Sequence, residues 1–211
     1  MLPKEIYANT VTICFLFLSL MLAGSALAYE EIDTKDQKSI ESAINLYSHG
    51  EYKLAVNILK NLTQAGVVDA HIQLGFMHKH GIGVEENKRI SYEHFLKACE
   101  KNNPYALFEL GYIYHTGDLG KKDLNKAKTY YQKSAKRMNW RAAYNLGSIH
   151  YYEHQNIKKA YKWFFVSRLI EKKSITNNML YILKGKLNKF TVLKAEKLAQ
   201  NWLLSSEPEK Q

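Results

Sequence analysis

Ala70-x-x-x-Leu74-Gly75 recurs as Ala106-x-x-x-Leu110-Gly111 and again as Ala142-x-x-x-Leu146-Gly147, 36 residues apart each time. A period of that length confines a chain to repeat architectures, in which each unit buries its apolar face against the next. Other columns keep the same register. Gly81 aligns with Gly117, Phe95 with Tyr131, Lys97 with Lys133 and Cys99 with Ala135.

Each unit reads as two helices. The first begins near Asp69, Pro104 or Arg141 and carries Ala, Leu and Gly on one face. Asn103-Pro104 is a helix start, with Asn as N-cap and Pro at the first helical position. Gly81 and Gly117 stand where a helix end uses a left-handed residue. Ala127-x-x-x-Tyr131-x-x-x-Ala135 places an apolar stripe on the second helix. The glycine of Leu-Gly is expected where two helix backbones approach closely. A diverged unit precedes these, around Gly50-x-Tyr52-x-x-Ala55, and Thr34-x-x-Gln37 reads as a capping box opening its first helix. In the last unit the turn is shorter, since Lys159-Ala160 follows Lys126-Ala127 by 33 residues.

The pattern Ala-x-x-x-Leu-Gly-x-x-(Tyr/His)-x-x-Gly, followed by Lys-Ala-x-x-x-Tyr-x-x-x-Ala, resembles the Sel1-like repeats, relatives of the tetratricopeptide repeat. Gly81-x-Gly83-Val84 matches that family's turn. His78 and His150 stand where the family has Tyr, kept here at Tyr114, and Gly120 is displaced by one position. The resemblance covers roughly residues 40–170. It implies an all-α fold, an α-solenoid of stacked helix–turn–helix repeats closed by a C-terminal capping helix pair. The expected divisions are a signal peptide at 1–28, an N-terminal tail at 29–38, about four repeats over 39–173, capping helices over 174–205 and a disordered tail at 206–211. Leu180, Leu183, Leu187, Leu193, Ala195, Leu198, Ala199 and Trp202 are expected to form the apolar face of the cap.

The apolar run from Val11 to Ala23 follows a single lysine, Lys4, and leads to Ala26-Leu27-Ala28, a small-x-small cleavage pattern. It is short for a membrane span, which needs about 20 residues. A secreted or periplasmic protein starting at Tyr29 is the expectation. Cleavage leaves Cys99 alone, so no internal disulfide can form, and Cys99 is expected to be a buried small residue.

Charge divides the chain. Tyr29–Gly120 holds 9 Lys and Arg against 13 Asp and Glu, and Lys121–Gln211 holds 20 against 6. The basic half is a solvated surface or a field that attracts an acidic protein, anionic lipid or envelope polymer. Nucleic acid is not an expected partner of an exported chain.

His150-Tyr151-Tyr152-Glu153-His154 matches the H-x-x-E-H pattern of some zinc peptidases, but His150 occupies a repeat column and His154 falls at or beyond the helix end. His78 and His80 lie two apart and face apart on a helix. Gly81-x-Gly83 follows a helix, not the strand that a nucleotide loop requires. G-x-S-x-G, S-x-x-K and C-x-x-C do not occur. No catalytic residue, metal or cofactor is expected.

Resemblance to tetratricopeptide-like arrays implies a ligand groove on the first helix of each unit. The Leu-Gly register places Ile72, Phe76 and Lys79 there, then Tyr105, Phe108, Tyr112 and His115, then Arg141, Tyr144, Ser148 and Tyr151. The rings combine apolar area with polar tips, and alternatively they fill the core between repeats. The expected function is a non-enzymatic adaptor or scaffold binding a protein or peptide in the cell envelope or outside the cell. Two alternatives stand beside it: an envelope-associated factor held to an anionic surface by the basic half, and a zinc-dependent hydrolase using His150 and His154.

Overall fold

A computed structural model describes residues 35–205, which fall into two compact units dividing between Val67 and Val68. The expected leader, Thr34 of the capping box and the tail from residue 206 lie outside the described residues.

The first unit contains α1 (residues 35–48) and α2 (Tyr52–Gln64). Residues 35–38, expected in a tail, are already helical. Gly50 turns the chain at φ 82°, a conformation that only glycine adopts without strain. Glu51 N–H then donates to Leu46 C=O at 2.9 Å. Ala55, Val56, Leu59 and Leu62 are buried at the spacing of one helical face.

The second unit contains α3 (Val68–His80), α4 (Lys88–Glu100), α5 (Pro104–Thr116), α6 (Leu124–Lys136), α7 (Trp140–Ser148), α8 (Ile157–Ile170), α9 (Ser174–Lys184) and α10 (Lys189–Leu204). Polar caps set the starts of six of these. Asn87, Asn103, Asp123 and Asn139 each accept two backbone N–H bonds from the first turn that follows, and Asn188 accepts one. At α8, Asn156 accepts one N–H bond from Lys159. Each such cap contributes about 1 kcal/mol.

Consecutive helices pair as α3 with α4, α5 with α6 and α7 with α8, and each pair closes in the same way. The residue before the second helix donates its N–H to one carbonyl column: Asn87 to His78 at 2.8 Å, Asp123 to Tyr114 at 2.8 Å, Asn156 to His150 at 2.7 Å. The first two turns use left-handed glycines, Gly81 and Gly83, then Gly117. The third has no glycine and three fewer residues. There α7 runs into a π-helical turn, Ile149–Glu153, and Gln155 takes φ 47°. The wider turn absorbs the deletion while the closing hydrogen bond is kept.

The core corrects the expected role of the Leu-Gly glycines. What approaches each glycine is an aromatic ring of the second helix, not a backbone. A Cβ on Gly75 would stand 2.7 Å from Phe95 Cε1, one on Gly111 2.6 Å from Tyr131 Cδ1, and one on Gly147 2.8 Å from Phe164 Cδ1. All three rings are fully buried, as are Ala70, Ala106 and Ala142.

Buried side chains surround α8, and α7, α9 and α10 cover it. Trp163 meets Trp202 edge to face at 4.8 Å, and Tyr161 donates to Glu196 at 2.9 Å. In α10 the buried face is Val192, Ala195 and Ala199. Leu193 and Leu198, expected on that face, are exposed. Cys99 is half-buried rather than buried, and burial raises its thiol pKa.

Candidate functional site

Lys79 Nζ lies 2.7 Å from Glu109 Oε2, so the first helices of successive units, α3 and α5, are neighbours. Glu109 is only 5% exposed. Its charge is compensated by a direct cation. The same ammonium sits 4.4 Å from the centroid of Tyr112, a ring that reaches solvent. Glu109 was not among the residues expected here, because a lone acidic residue in an apolar helix gives no sign of its partner 30 positions away.

The residues expected to line a groove divide by packing. Ile72, expected among them, is buried and belongs to the core. Phe76, Phe108 and Tyr144 are half-buried and lean on the aromatic rings of the second helices. Phe76 meets Phe95 at 5.6 Å, Phe108 meets Tyr131 at 5.7 Å and Tyr144 meets Phe164 at 5.1 Å. His115 is also half-buried. Asn145 Nδ2 donates to the Tyr131 hydroxyl at 3.0 Å, which leaves that hydroxyl's proton for His115 Nδ1 at 3.5 Å. Burial, then the nearby Lys122, lowers the His115 pKa. Tyr151 is half-buried, and its hydroxyl accepts from Lys186 Nζ at 3.2 Å.

Tyr105 and Arg141 are exposed and stand away from these packed rings. They line a cavity of about 230 Å³ with Pro104, Arg137, Met138, Asn139, Trp140, Glu171 and Lys173. Met138 and Trp140 were not expected at a site. Their only signal is that they stand in the columns that hold Asn102 and Pro104 before α5.

Histidines gather in the first pair of the second unit. His71 Nδ1 and His94 Nδ1 are 3.0 Å apart, and the His78 ring stacks on His94 at 5.8 Å. Burial, then His71 and His78, pushes the His94 pKa down to about 4. His150 and His154, the residues of the zinc pattern, have ring centroids 5.6 Å apart within and after the π-helical turn. Among the described residues no cluster of three or more His, Cys, Asp or Glu is arranged to hold a metal ion.

The Sel1 repeat family model matches residues 68–103, 104–137 and 140–165. A sel1-like repeat-containing protein of Acanthamoeba polyphaga mimivirus is 31% identical over 78 residues, 37% of this chain; the chain spans 14% of that relative's length. Among solved structures, a Sel1 repeat protein from Oxalobacter formigenes is 23% identical with a TM-score of 0.63, covering 79% of this chain and 72% of its own. A protective antigen present in uropathogenic Escherichia coli, displaying an SLR fold, is 22% identical with a TM-score of 0.53, covering 74% of this chain and 42% of its own. These likenesses carry the all-α repeat fold.

Proposed function

This chain is a Sel1-repeat protein, and from that premise we propose that it is a non-enzymatic scaffold holding a protein or peptide partner against α3, α5 and α7 outside the cytoplasm. Sel1 repeats are in general a protein-interaction fold. The observation that carries the reading is the Lys79–Glu109–Tyr112 arrangement, which fixes a solvent-reaching ring and a cation between two successive first helices. Rigid aromatic anchors of this kind bind at low entropic cost. The export part of the proposal rests on the apolar run and Ala26-Leu27-Ala28. N-terminal sequencing of exported protein should begin at Tyr29, and retention of Met1 would refute cleavage.

The test is cross-linked capture from the native compartment with the full chain. Partner cross-links should map to α3, α5 and α7, and Tyr112→Ala with Tyr151→Ala should abolish them. A partner retained by that double variant would overturn the assignment.

A second reading has its own support in the basic half, 20 Lys and Arg against 6 Asp and Glu in Lys121–Gln211. An anionic surface bound through this field would release the protein steeply with salt, since charges are screened beyond about 8 Å at physiological ionic strength. Vesicle sedimentation across a salt series tests it, and salt-insensitive binding would exclude it.

A further inference from the structure

The cavity before α7 is built from three separate chain segments. Pro104 and Tyr105 open α5, residues 137–141 join α6 to α7, and Glu171 and Lys173 follow α8. Its base is tied together. The Pro104 carbonyl accepts from Ser134 Oγ at 2.6 Å and from Asn139 Nδ2 at 3.3 Å, while Asn139 Oδ1 caps α7. Trp140 therefore stands on a fixed support, not on a free loop.

The charges there are one-sided. The Arg141 guanidinium lies 5.2 Å from the Trp140 ring centroid, and Lys173 Nζ lies 5.7 Å from it. Glu171, the only acid in the lining, already pairs with Lys173 at 2.5 Å. Among the described residues neither Arg137 nor Arg141 has a carboxylate partner. Two guanidiniums are left uncompensated beside an indole.

Residues 66, 102 and 138 occupy one column, all with positive φ, as Gly66, Asn102 and Met138. Glycine and asparagine tolerate that conformation and methionine does not. The turn between units imposes this backbone, and the methionine it carries is 57% exposed on the cavity rim, so internal packing does not account for that residue. Strained residues of this kind cluster at ligand-binding sites.

We propose that this cavity binds an acidic peptide segment of a partner protein, with Arg137 and Arg141 taking its carboxylates and Trp140 and Met138 its apolar side chains. The inference rests on the scaffold reading and gives it a ligand chemistry. Whole small-molecule ligands occupy about 300–1,000 Å³, and a cavity of about 230 Å³ is sized for one or two side chains of a longer chain. Planar guanidiniums match carboxylates bidentately, and the adjoining indole and thioether suit apolar residues interleaved with acids.

Two capped nonapeptides test it, each with three Leu, one carrying four Glu and the other four Lys at the same positions. Full-length protein should bind the Glu peptide saturably at one site and bind the Lys peptide about tenfold more weakly or less. Arg141→Glu and Arg137→Glu, both at exposed positions, should each weaken the Glu peptide by about tenfold with unchanged thermal melting. Lys194→Glu, an equal charge change on exposed α10, should leave binding intact and so separate the cavity from the general basic field. Equal affinity in wild type and Arg141→Glu, or equal loss in Lys194→Glu, would overturn the proposal. Inorganic polyphosphate or anionic vesicles displacing the peptide at lower concentration than the peptide itself would also overturn it. Those failures would leave the scaffold reading standing, because that reading fails on the separate residues Tyr112 and Tyr151.

Discussion

Tyr131 occupies the space that a side chain on Gly111 would need, its Cδ1 lying 2.6 Å from where a Cβ would stand. The ring cannot retreat, because it is fully buried and its hydroxyl is held by Asn145. Gly111→Ala is therefore expected to destabilise the protein despite alanine's better helix propensity, by about 1–3 kcal/mol. A shift of the urea midpoint to lower concentration checks this. A midpoint equal to wild type would show that the ring can move.

Lys79 and Glu109 form the ion pair that links α3 to α5, and Glu109 is nearly buried. Glu109→Gln keeps the size but strands the ammonium, at an expected cost of about 1.5–3 kcal/mol. Lys79→Met, made alone and combined with Glu109→Gln, completes the cycle, and the double variant, with both charges removed, should recover much of that loss. Additive losses in this double-mutant cycle would show that the two groups act independently.

The rings on the first helices should respond differently to truncation. Phe108 packs on Tyr131 and the surrounding core, so Phe108→Ala should cost about 2–3 kcal/mol, less than a fully buried Phe. Tyr105 is 54% exposed, and Tyr105→Ala should stay within about 0.5 kcal/mol. Chemical denaturation of both variants decides whether the row is a ligand surface throughout or only at its exposed members.

Acid should loosen the fold before carboxylates titrate. Burial holds His94 and His150 down to about 4, against an ordinary value of 6.5, and lowers His71 as well. Between about 6.5 and 4 the unfolded chain takes up protons that the folded chain refuses, so stability falls as pH drops through that window. Above about 8 these imidazoles are neutral in both states and contribute no slope. Lys97 opposes protonation of His71 and Glu100 favours it. His94→Gln should flatten part of the decline in melting temperature between pH 6.5 and 4.5, and an unchanged profile would assign it elsewhere.

The repeat columns made the helix pairs legible, because a period of 36 residues appears directly in Ala, Leu and Gly positions. Asn103 as a cap and Gly81 and Gly117 as left-handed residues were legible for the same reason, each being a residue type suited to one backbone state. The partner of the Leu-Gly glycine was not, because a missing side chain says that something is close without saying what. Leu193 and Leu198 were misplaced because the α10 face is set by its packing on α8, where Val192 and two alanines fit. The cavity around Trp140 was the least legible feature. Its walls come from residues 104 to 173, and only folding brings Tyr105, Trp140 and Lys173 together.

The glycine–ring contacts also set a schedule. Gly75 and Phe95 are 20 positions apart, Gly111 and Tyr131 again 20, and Gly147 and Phe164 17. Closing loops this short costs little chain entropy, and the cost grows only slowly with length. Where the chain emerges N-terminus first, from a ribosome or from an export channel, each ring can therefore find its glycine before the next pair has come out. A chain assembled in this way matures from its first pair toward its last. The α8–α10 end, where the apolar surface of α8 waits longest for its cover, is then the stage most exposed to an unfinished encounter with another chain.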